Sequence, residues 1–89
     1  MKTREEIFNE VIHQYKKNSE FYIFIHIVNS IEFVFWIYPF DAIMNGCVCN
    51  CLTNEETEKR KVAKTGDFEG DLYYLIDLLI EDAKAAQMV

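Results

Sequence analysis

The sequence predicts an α+β domain with an N-terminal helix, an antiparallel sheet of three or four strands built on a central hairpin (Phe21 to Tyr38), and a C-terminal helix. Two runs of β-branched and aromatic residues, Phe21 to Val28 and Ile31 to Tyr38, are parted only by Asn29-Ser30, and such residues suit a pleated surface. On either side of the sheet region, apolar residues recur at the three- and four-residue spacing of helices with one buried stripe. The chain of 89 residues forms one domain, 1–89, with a modest core that would gain from a partner or a second copy.

The first helix opens on Thr3-Arg-Glu-Glu6, a capping box in which Thr3 and Glu6 satisfy each other's backbone N–H. Ile7, Phe8, Val11, Ile12 and Tyr15 form its apolar stripe, Lys16 and Lys17 complement the dipole of its last turn, and Asn18-Ser19 ends it.

In the hairpin, a two-residue turn at Asn29-Ser30 pairs Val28 with Ile31, Ile25 with Val34 and Ile23 with Trp36. Both faces are then apolar, with Glu32 on one and His26 on the other, where antiparallel hairpins usually leave one face to water. A membrane span of Phe21 to Phe40 is disfavoured, because His26, Asn29, Ser30, Glu32 and Pro39 would lie in hydrocarbon and flanking basic residues are few. The charged, helically patterned N-terminus does not resemble a leader, so a cytoplasmic protein is expected.

Pro39 stops the second strand, and Asn45-Gly46 reads as a turn before a third strand carrying Cys47, Cys49 and Cys51 on one face. The charged segment Thr53 to Thr65 reads either as a helix capped by Thr53 or, preferably, as a turn at Asn54 to Thr57 and an edge strand from Glu58 to Lys64, whose lysines discourage edge pairing. After a loop at 65–70, Asp67 or Asp71 caps the second helix, with Leu72, Leu75, Ile76, Leu79, Ile80 and Ala83 as its stripe; Glu81 and Asp82 read as solvated. Either each helix covers one face of the sheet, or both cover one and a second molecule takes the other, which favours a homodimer.

Chemistry is scarce. The three cysteines do not form the disulfide framework of a secreted domain, and their alternate spacing differs from the paired knuckles of zinc sites. Cys47, Cys49 and Cys51 are therefore weak metal candidates, with His13 or His26 as a fourth ligand, and packing is the simpler expectation. A thiol disulfide pair at Cys49 and Cys51, or a His26–cysteine nucleophile, is equally thinly supported. Asp67, Glu69 and Asp71 sit at calcium-loop spacing, but Leu78 occupies the place of the bidentate glutamate. No catalytic, cofactor-binding or resident-metal set emerges, and an enzyme is not expected.

A net charge of −6 argues against direct nucleic-acid binding. The expected function is protein binding, of the inhibitor, immunity or phage and mobile-element accessory type. Trp36, Tyr38 and Phe40 are the expected aromatic contacts, although the same residues could serve as core under the second helix. Asp77, Glu81 and Asp82 would carry the alternative, mimicry of nucleic acid toward a basic cleft; a third alternative is a small-ligand or thiol and metal protein using the cysteine cluster.

Overall fold

The computed structural model describes residues 3–17, 30–86 and, in their backbone, 23–26. Helix α1 (Arg4–Lys17) leads to strands β1 (Ile23–His26), β2 (Ile31–Trp36), β3 (Ile43–Asn50), β4 (Glu55–Glu56) and β5 (Arg60–Ala63), and helix α2 (Phe68–Ala85) follows. The α+β architecture read from the sequence is the observed one. All strands are antiparallel, in the order β1-β2-β3, with β4 and β5 both paired along the far side of β3.

The capping box forms as expected: Thr3 N donates to Glu6 Oε1 at 3.1 Å and Glu6 N donates to Thr3 Oγ1 at 3.2 Å. At the start of α2, Asp67 is the cap, accepting from Gly70 N at 3.0 Å. Gly70 makes room for this cap, since a Cβ there would displace the Asp67 carboxylate. Asp71 has another task, for its carboxylate accepts from both Thr65 N and Thr65 Oγ1 at 2.9 Å and pins the preceding loop to the helix.

The hairpin register differs from the sequence expectation by one residue. Ile25 pairs with Phe33 and Ile23 with Phe35, in place of Val34 and Trp36. A strand apolar on both faces specifies its register weakly, because a one-residue slip exchanges one apolar set for another. Ser30 takes a left-handed conformation at φ 67°. The expected Val28–Ile31 pair, the Asn18-Ser19 helix end and Asn29 lie outside the described residues.

Asn45-Gly46 is not a turn; it lies within β3. The chain reverses earlier, where Asp41 N donates to Tyr38 O at 3.2 Å around Pro39-Phe40. Gly46 serves packing instead, as a Cβ on it would come within 2.9 Å of Leu79 Cδ1 and 3.2 Å of Val34 O. Its absent side chain lets α2 settle on the sheet. Cys51 and Leu52 fall outside β3, in a turn that ends with Asn54 at φ 60°.

The charged segment is an edge strand, not a helix, although its pairing begins at Glu55, inside the expected turn. Between the β4 and β5 ladders, residues 57–59 stand opposite only Cys47 and Val48, which makes a bulge. Thr57 closes it, with its N–H donating to Val48 O and its Oγ1 accepting from Val48 N, both at 2.9 Å.

Both helices pack on one face of the sheet. Ile7, Phe8 and Val11 of α1 join Leu72, Leu75, Ile76, Leu79 and Ala83 of α2 over Phe33, Phe35, Met44, Val48 and Val62 in one continuous core. Phe33 and Phe35 are almost fully enclosed, and burying side chains of this kind contributes about 1.5–3 kcal/mol each. The helices are joined by a parallel stack of Phe8 on Tyr73, centroids 4.1 Å apart, and by Arg4, which grips both oxygens of Asp77 at 2.8 and 2.9 Å.

Candidate interaction surface

Because β2 and β3 alternate, the residues between the core positions point away from the helices. Across the two strands Glu32 stands opposite Cys49, Val34 opposite Cys47, and Trp36 opposite Asn45. The edge strand adds Glu56 beside Cys49 and Lys61 beside Asn45. Glu32, Val34 and Trp36 are half-buried. No helix covers this face among the described residues.

The bulge aims Lys59 back over the sheet, with its Nζ 4.2 Å from the centre of the Trp36 ring. Since β3 lies between them, the lysine stem crosses that strand, which accounts for Cys47 being only 5% exposed on an otherwise open face. The face therefore has three zones along the strands. Glu32 and Glu56 make one end acidic, Val34 and Cys47 an apolar middle, and Trp36 with Lys59 and Lys61 the other end basic.

Of the three thiols expected on one face, Cys47 and Cys49 share it, and Cys51 leaves β3 yet returns to it by donating to Glu32 Oε1 at 2.5 Å. That hydrogen bond to a carboxylate is the main reason its thiol is pushed up to about 12. The Cys47 thiol is also raised, chiefly by burial. All three cysteines are free. Both shifts run away from the lowered pKa that activates a nucleophilic thiol. Among the described residues no group of three or more His, Cys, Asp and Glu is arranged to hold a metal. His26 pairs with Glu32 through its backbone, and its side chain is outside the description; His13 is exposed on α1.

The structure disperses the other expected contact residues. Trp36 belongs to the open face and not to the core under α2, and Phe40 is 97% exposed at the Pro39 turn. Tyr38, half-buried, accepts from Lys64 Nζ through its backbone oxygen. On α2, Asp77 is paired with Arg4, and Asp82, expected to be merely solvated, holds Arg60 of β5 at 2.7 and 2.8 Å. The Arg60 guanidinium keeps the Asp82 carboxyl below the usual carboxylate range. Two of the three carboxylates proposed for mimicry therefore tie elements together, and Glu81 alone of the three is exposed.

Sequence reasoning overlooked Val34, Lys59 and Lys61 as parts of one surface. The alternation that separates Val34 from Phe33 is visible in the sequence, but which face the helices choose is not. Elsewhere, Phe8, Ile12, Tyr15 and Phe68 line an open groove of about 430 Å³ between the helices. Comparison with known protein families, curated proteins and solved structures finds no match. No described helix is long and apolar enough to cross a membrane.

Proposed function

We propose that this chain is a small protein-binding domain whose contact surface is the helix-free face of its sheet. The observation that carries this reading is the placement of both helices on one side, which leaves Val34 and Trp36 facing outward from the central strand β2. An apolar strip with a tryptophan, rimmed by charge, has the make-up of an interface. A domain of this kind acts by occupying its partner, as inhibitors and accessory proteins do.

The test is recovery of a bound protein from the native host by wild type, Val34→Lys and Glu81→Lys, followed by reconstitution of the purified pair. A stoichiometric complex that Val34→Lys abolishes and Glu81→Lys preserves is expected. The reverse pattern, with steep salt dependence, would move the contact to α2 and favour mimicry of nucleic acid.

A further inference from the structure

We propose that the occupant of the helix-free face is a second copy of this chain, related by a two-fold axis running across the strands at the level of Val34 and Cys47. The inference rests on the reading of that face as a protein-binding surface, and it is carried by self-complementarity. A rotation about such an axis keeps each strand over its own counterpart and exchanges the two ends of the face. The acidic end of one copy then meets the basic end of the other. Glu56, which pairs with Cys49, falls over the Lys61 of the other copy, which pairs with Asn45; both are the same two residues from the axis. Glu32 likewise falls over Trp36 and its attendant Lys59. Val34 lies on the axis and meets its own counterpart, while Cys47 lies at the same level beneath the Lys59 stem.

Shape follows the same operator. Beyond the acidic end, at the turn after β3, Leu52 is 77% exposed. Beyond the basic end is an open hollow of about 370 Å³ lined by Asp41, Ala42, Ile43, Asn45 and Lys61. The two-fold axis brings the turn that carries Leu52 over that hollow, twice. A surface whose charge and relief are both complementary under one rotation fits its own copy better than an arbitrary partner.

Its size sets the strength. Four strand positions spaced at about 4.8 Å and seven residues at about 3.3 Å give a face of roughly 20 by 23 Å. With side-chain relief, two such faces bury on the order of 1,000 Å², the size of weak or transient contacts, so the dimer is expected to be in exchange with monomer.

Sedimentation velocity from about 1 to 200 µM tests this. Wild type should pass from monomer to dimer across that range, and added salt should weaken it. Leu52→Asp, Glu56→Lys and Lys61→Glu, all at exposed positions, should each raise the dissociation constant about ten-fold or more, while Glu56→Lys/Lys61→Glu should return to within about three-fold of wild type. Circular dichroism confirms that each variant is folded. A monomer at every concentration, or a dimer indifferent to these changes, overturns the second copy. If Val34→Lys still abolishes capture of a different protein in that case, the protein-binding face stands and only its occupant changes.

Discussion

Cys51 shows how a single neighbour decides what an exposed thiol can do. It lies in an open turn, yet the Glu32 carboxylate accepts a hydrogen bond from it and pushes its pKa up to about 12. Its alkylation at pH 8.5 should be slow, and Glu32→Ala should speed it by about ten-fold or more, read by peptide mass mapping after timed iodoacetamide exposure. An unchanged rate would show that the carboxylate does not hold the thiol. Gly46 makes the complementary point about space. A methyl there meets Leu79 and the Val34 carbonyl, so Gly46→Ala should cost about 1–3 kcal/mol in urea denaturation despite the usual gain from replacing glycine in a strand.

Among the elements, α2 is fastened by two ion pairs, Asp77 at its middle to α1 and Asp82 near its C-terminal end to β5. The Asp82 carboxyl is held below its ordinary value, so its contribution is present above the usual carboxylate pKa and fades as pH falls through the lower folded value. Asp82→Asn should therefore be less stable than wild type at pH 7, with the two converging toward pH 3, as followed by chemical denaturation across that range. The helices and their caps were legible in the sequence because Thr3-Glu6, Asp67 and the two stripes are local signals that answer to one period. The edge strand at 60–63 was legible too, since Val62 and Ala63 are too few apolar residues to dock a helix. What escaped was relational. The register of β1 against β2 was ambiguous because both faces are apolar, and Asn45-Gly46 looked like a turn because the glycine's purpose is set by Leu79, more than thirty residues away. The same reason hid the pairing of Asp82 with Arg60, which only the approach of β5 to α2 creates.

At the scale of the whole molecule, one core joins both helices to the sheet. Phe33→Ala should cost about 3–5 kcal/mol, a large share of the roughly 5–10 kcal/mol available to a domain of this size. Because there is only one core among the described residues, loss of helix by circular dichroism and loss of amide protection in the strands should coincide in one transition. Two separated transitions would mean that α1 or the edge strand unfolds on its own.

Trp36 is the sole tryptophan of the chain, and it lies on the face away from that core, beneath the Lys59 ammonium. Tryptophan emission here reports the occupancy of a surface and not the integrity of an interior. Covering the face should shift the emission to the blue while the fold is unchanged, and Lys59→Met should alter the spectrum without altering the core. The molecule thus carries an intrinsic optical probe at the place where its binding would occur.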